Sequence, residues 1–216
     1  MTLNAYMIDR YLVTAASYKL CVNARSCLDI YQGDACTYDV AGKENHPINC
    51  VDWDRAKTYC EWAGGRLPTE AEWERAAKGT THRRYPWGDE CPESWDAVCT
   101  GAEWMATTAK VNCAESYCND GFSVISPVDQ FPSGKSPDGL YDMVGNVWEW
   151  CSDWTRREYT SAGVINPMGP ETGEDRVIRG GSLGSNGNHL RAVYRNDYPY
   201  YRGHNTIGFR CVSSAP

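Results

Sequence analysis

Eleven cysteines in 216 residues constrain this chain more than any other feature. They fall in local groups, Cys21/Cys27/Cys36/Cys50, Cys91/Cys99 and Cys113/Cys118, which predicts short bridged loops rather than long regular elements. Zinc is the rival use of such residues, yet no CxxC pair occurs and the four histidines lack HxxxH or HExxH spacing. The odd count leaves at least one cysteine free or intermolecular. An oxidising compartment, a virion or cell surface, or the disulfide-rich cytosol of a thermophile each fits.

Regular structure is concentrated before residue 80. Thr14 caps a helix carrying Ala15, Tyr18 and Cys21-Val22. Asp52 caps a second, whose apolar positions Trp53, Ala56, Cys60 and Ala63 keep helical spacing until Gly64-Gly65. Thr69 with Glu72 forms a capping box for a third, which carries Trp73, Ala76 and Ala77 and ends at Gly79. Beyond that, Gly, Pro, Asn and Asp punctuate short segments, the texture of irregular loops and short antiparallel strands. A single domain is expected over residues 1–216, since no repeat or linker divides the chain. With nine Trp and fourteen Tyr against three Phe, large aromatics carrying a polar handle supply much of the buried area. Trp87, Trp148, Trp150 and Trp154 are read as core.

A formal charge of −7 argues against nucleic-acid partners, which need concentrated Lys and Arg. No apolar run approaches the roughly 20 residues of a membrane helix, and Met1 to Val13 has no signal-peptide pattern, so a soluble chain without membrane insertion is expected.

Residues 183–206 are compositionally distinct: they hold no Lys, Glu, Gln, Met, Trp or Cys. What remains is Tyr for rigid contact and Asn, Ser, Gly and His for adaptable hydrogen bonding, the palette of binding loops. Its flanks, Arg179-Gly180-Gly181-Ser182 and Ile207-Gly208-Phe209-Arg210-Cys211, have the look of scaffold.

Those flanks, together with Gly65-Arg66-Leu67-Pro68-Thr69-Glu70-Ala71-Glu72-Trp73-Glu74 and Gly139-Leu140-Tyr141-Asp142-Met143-Val144-Gly145-Asn146-Val147-Trp148-Glu149-Trp150, resemble the formylglycine-generating-enzyme (sulfatase-modifying factor) domain. The match runs from about Met7 to Cys211, with the usual opening strand upstream of Ile8-Asp9 missing or shortened. The resemblance implies an α+β, C-type-lectin-like fold with little regular structure. It also implies two structural calcium sites. One would use the Asn112 side chain, the Cys113 carbonyl, Asp120 and the Phe122 carbonyl; the other would use Asp142, Glu149 and the Gly145 and Val147 carbonyls. Oxygen donors on irregular loops suit Ca²⁺. A Cys60–Cys211 disulfide is implied, while a second family bridge would need cysteines near Ala77 and Ala192, where there are none.

In that family, oxidation of a substrate cysteine depends on two copper-binding cysteines shortly after Gly-Gly-Ser. No cysteine lies from 152 to 210 in this chain, so neither copper nor catalysis of that reaction is expected and the chain is read as non-enzymatic. Instead the C-terminal pattern resembles the variable proteins of diversity-generating retroelements. There, adenines of asparagine codons are randomised, which never yields Lys, Glu, Gln, Met or Trp. Leu183 stands where Trp is commoner. The implied function is display of a ligand-binding face for a protein or glycan on a cell or virus surface. Tyr194, Tyr198, Tyr200 and Tyr201 would be its anchors. Ser185, Asn186, Asn188, His189, Asn196, Asp197, His204 and Asn205 would supply polar specificity, with Arg191, Arg195 and Arg210 as scaffold. A pseudoenzyme or an oxidoreductase with unrecognised chemistry is the alternative.

Overall fold

In a computed structural model, the residues described are 2–30, 32–81, 83–89, 120–156 and 163–215. The three helices form where their caps stand: α1 (Ala15–Asn23), α2 (Trp53–Trp62) and α3 (Glu70–Lys78). Thr14, Asp52 and Thr69 each accept a hydrogen bond from the backbone amide three residues on, and Glu72 completes the capping box on the Thr69 amide.

The strands are β1 (Tyr6–Ile8), β2 (Trp148–Trp154), β3 (Asp175–Arg179), β4 (Arg195–Pro199), β5 (Ile207–Gly208) and β6 (Val212–Ser214). Four form one sheet in the order β4-β3-β2-β5, antiparallel except for the parallel β2–β5 pair. β1 pairs antiparallel with β6, and Arg66 bridges the far side of β6 at Val212. The fold is the α+β arrangement expected.

Two large apolar clusters lie against the main sheet. One joins α1 and α2 to Trp148, Trp150, Ile178 and Phe209. The other joins Trp73, Ala76 and Ala77 of α3 to Met143, Val177, Leu190 and Ala192. Ala77 and Ala192, the positions of the missing family bridge, thus share one core. Trp148 and Trp150 are buried as expected. Trp87 and Trp154 are only half-buried, because Trp87 stacks on Tyr85 at the surface and Trp154 lies at the end of β2.

Among the described residues, disulfides join Cys21–Cys27, Cys36–Cys50 and Cys60–Cys211, and Cys151 is a buried free thiol. Cys91, Cys99, Cys113 and Cys118 lie outside the described residues. Cys60–Cys211 spans 151 residues and ties α2 to the residue just before β6. Replacing both its cysteines by Ala is expected to lower stability in denaturant unfolding by about 5 kcal/mol, through the entropy returned to the unfolded chain. The pair closing the six-residue Cys21–Cys27 separation contributes less on the same measure.

Candidate functional site

Beneath the candidate face lies a fully buried ion pair. Arg210 donates from Nε to Glu149 Oε2 at 2.7 Å and from Nη2 to Oε1 at 2.8 Å, and Trp73 Nε1 donates to the same Oε2 at 2.9 Å. Its remaining donors reach the carbonyls of Asp9, Arg10 and Tyr141. A second buried guanidinium, Arg179, donates to Glu74 at 2.6 Å and to the carbonyls of Ala192 and Tyr194. Arg195 grips Glu70 with two donors and the Arg156 carbonyl with a third. Arg195 and Arg210 are scaffold, as expected; Arg191 turns its Nε back to the Asn188 carbonyl.

Between these anchors the chain from Ser185 to Thr206 is held chiefly through its main chain. Scaffold donors bond the carbonyls of Ala192, Tyr194, Tyr200, His204, Asn205 and Thr206, from Arg179, Trp53, Cys50, Asn49 and Trp148. The Ala192 amide donates to the Arg84 carbonyl at 2.8 Å. Gly203 passes so close to Cys50 that a Cβ there would lie 2.1 Å from the Cys50 carbonyl oxygen. At the start of the segment, Gly181 has φ 73°, and a Cβ would lie 2.9 Å from Leu190 Cδ2.

The expected contact residues divide into three groups. Asn196, Asp197, Tyr201 and His204 are exposed on the face, together with Val193 and Arg202. Tyr194, Tyr198 and Tyr200 are half-buried, because each ring packs on a tryptophan of β2: Trp148, Trp150 and Trp154 respectively. Of the four tyrosines expected as anchors, that leaves Tyr201, 61% exposed, as the one that projects most. His189 and Asn188 are half-buried, with the imidazole 4.5 Å from the Tyr194 ring, and Asn205 is half-buried over Asn49. Ser185 is buried and does not face a ligand; its Oγ accepts from the Ser182 amide and closes the turn after Gly181. Asn186 is exposed, but its side-chain oxygen accepts from the amides of Asn188 and His189.

Sequence reasoning missed two groups. Arg176 lies between the rings of Trp53 and Trp154, 3.7 and 3.4 Å from their centroids, and burial lowers its pKa to about 10. Asp153, which accepts from the Glu70 amide at 2.8 Å, is pushed up to about 6 by burial. Alternation along β2 was the signal available for Asp153, since Cys151 and Asp153 share one face.

The implied calcium donors fit unevenly. Asp142 is buried at φ 53°, its Oδ2 has no hydrogen-bond partner, and desolvation pushes its carboxyl to about 7, so a cation would relieve it. Glu149 is already shared between Arg210 and Trp73. Asp120 Oδ1 accepts from the Phe122 amide, while Asn112 and Cys113 lie outside the described residues. Among the described residues no three His, Cys, Asp or Glu side chains gather as a metal cluster.

Residues 1–215 match the family described as the sulfatase-modifying factor enzyme 1-like domain. The chain belongs to this family. Over 183 residues it is 42% identical to the formylglycine-generating enzyme of Streptomyces coelicolor, a match covering 82% of this chain and 55% of that protein. The chain therefore spans about half the length of such curated relatives. Among solved structures it resembles PvdO from Pseudomonas aeruginosa (TM-score 0.76, 27% identity, 97% of this chain and 80% of that one). It shares its fold with Treponema denticola variable protein 1 (TM-score 0.73, 22% identity, 99% and 86%). These findings overturn the non-enzymatic reading: relatives 37–43% identical to this sulfatase-modifying-factor-type domain are formylglycine-generating enzymes by name. The absent cysteine pair is no ground for placing this chain outside an enzyme family.

Asp153 sets a pH dependence. Its folded pKa, about 6, is raised above the value near 3.8 of an unperturbed carboxyl, so its contribution to stability is complete below about pH 4 and is lost as pH rises to about 6. In thermal melts across that window, Asp153→Asn is expected to lose less stability than the unsubstituted protein.

Proposed function

We propose that this domain works by holding a protein or glycan ligand on the face formed by Val193 to His204, which follows the stretch after Gly180-Gly181-Ser182 where the family resemblance puts the cysteines of its enzyme relatives. The observation that carries this reading is the division of labour within the segment. Its path is fixed by main-chain bonds to the scaffold, while Asn196, Asp197, Tyr201, Arg202 and His204 project outward. An aromatic ring beside polar groups of both charge signs suits a mixed polar and apolar surface. The absence of Lys, Glu, Gln, Met and Trp from 183–206 further supports a diversified origin, as in the variable proteins that share the fold.

A second reading, favoured by the matched enzymes, is that a bound substrate is also oxidised here. With no cysteine from 152 to 210, such a step would draw on other groups. Calcium, in this reading, is structural and held by Asp142, the Gly145 and Val147 carbonyls and a remaining lone pair of Glu149.

Ligands found by screening protein and glycan arrays are expected to lose about tenfold or more in affinity on Tyr201→Ala, with unchanged melting temperature. Equal binding by that variant would remove the face from consideration. Mass spectrometry of a cysteine-containing peptide incubated with the protein, copper and oxygen separates the two readings, since an aldehyde product establishes oxidation. Calcium is expected to raise the melting temperature of the unsubstituted protein and to have little effect on Asp142→Ala.

A further inference from the structure

A cleft of about 700 Å³ lies away from the C-terminal face, between β1, α3 and the 138–140 loop. Within residues 6–10 its walls are Tyr6, Ile8 and Arg10, and neither Met7 nor Asp9, with Arg75, Asp138 and Leu140 opposite. That alternation follows from the strand register. Asp9 donates its amide to the Cys211 carbonyl, so with Tyr6↔Ser214 and Ile8↔Val212 in register, Met7 and Asp9 bond inward to β6. The amides and carbonyls of Tyr6 and Ile8 therefore point away from β6, to the outer edge of a strand that lines the cleft. No hydrogen bond among the described residues uses them there. At Arg10 the same edge is closed, because its carbonyl accepts from the Tyr141 amide at 3.0 Å. At the other end the Asn4 amide donates to Asn166 Oδ1 at 2.7 Å and Thr2 pairs with the 164–166 segment, so the cleft is an unfinished strand pairing, closed at both ends and open at Tyr6 and Ile8.

Its charge selects an occupant. Arg75 is paired with Asp138 at 3.0 Å. The exposed Arg10 guanidinium lies over the rings of Tyr11 and Tyr141, 5.5 and 5.4 Å from their centroids, and forms no ion pair among the described residues. Ile8, Ala76 and Leu140 give the cleft an apolar floor. An exposed guanidinium with no ion pair among the described residues, beside open main-chain donors, favours a carboxylate-bearing strand over a basic one.

We propose that the cleft binds an extended acidic peptide, which adds a strand to β1 through the Tyr6 and Ile8 main chain and sets a carboxylate against Arg10. Added-strand recognition takes its affinity from backbone bonds and its selectivity from alternate side chains. This site uses none of residues 185–206.

The probe is a fluorescein-labelled hexapeptide of alternating Val and Glu, with its Val/Gln counterpart and an N-methylated backbone version as controls. Fluorescence anisotropy is expected to show binding of the acidic peptide, weakened about tenfold by Arg10→Glu and unchanged by Tyr201→Ala. Hydrogen exchange followed by NMR is expected to show the Tyr6 and Ile8 amides becoming protected only with peptide present. Absence of binding, equal binding of the Gln or N-methylated peptide, or protection elsewhere would overturn the proposal. So would protection without peptide, which would mean that a second copy or the protein's own residues already fill the edge. The peptide controls use the unsubstituted protein, so the test stands even if Arg10→Glu fails to fold.

Discussion

A fully buried guanidinium has to be neutralised and must place five N–H groups, and Arg210 does both at the centre of this fold. Its carboxylate comes from β2, the indole on that carboxylate from α3, and its carbonyl acceptors from the start of the chain and the Tyr141 loop. Partners between 61 and 201 residues apart must meet before all of them are satisfied. Removing one partner of such a pair costs about 3–5 kcal/mol, whereas a well-packed apolar substitute can be neutral, so its value lies more in fixing one arrangement than in net stability.

Much of this was legible locally. Thr14, Asp52 and Thr69 announce helices because a cap is a short-range bond between neighbours in sequence. The motifs around Trp73, Glu149 and Arg210 could be recognised as strings, and the resemblance supplied Cys60–Cys211. What they do together could not be read, since nothing local says that Glu149 will be held by Arg210 and Trp73. Four cysteines at 21, 27, 36 and 50 allow three pairings, and only the meeting of Cys36 with Cys50 across a 14-residue separation selects one. Composition likewise marked 183–206 as a contact surface without saying which tyrosines face outward. Three of them cover the tryptophans of β2, and Ser185 closes a turn.

Family membership and the missing cysteines bear on different links of the chain from sequence to function. The shared motifs maintain the Arg210 centre, the Arg179 and Arg195 anchors and the turn at Gly181, and these hold whatever happens on the surface. The cysteine pair that the resemblance implies would stand in the stretch after Gly181, outside those anchors. The same scaffold therefore carries enzymes such as that of Streptomyces coelicolor and a chain with another set of groups in that stretch.

Because the C-terminal segment is held at its carbonyls and by inward side chains such as Arg195 and Ser185, its course does not depend on the side chains that point outward. Carbonyls are common to all twenty residue types, so mutation at Asn196, Asp197, Tyr201 or His204 rewrites the surface without unpicking the fold. Gly203 is the exception, pinned by its approach to Cys50. Inheritance can thus drift quickly at one set of codons and stay fixed at another only a residue away.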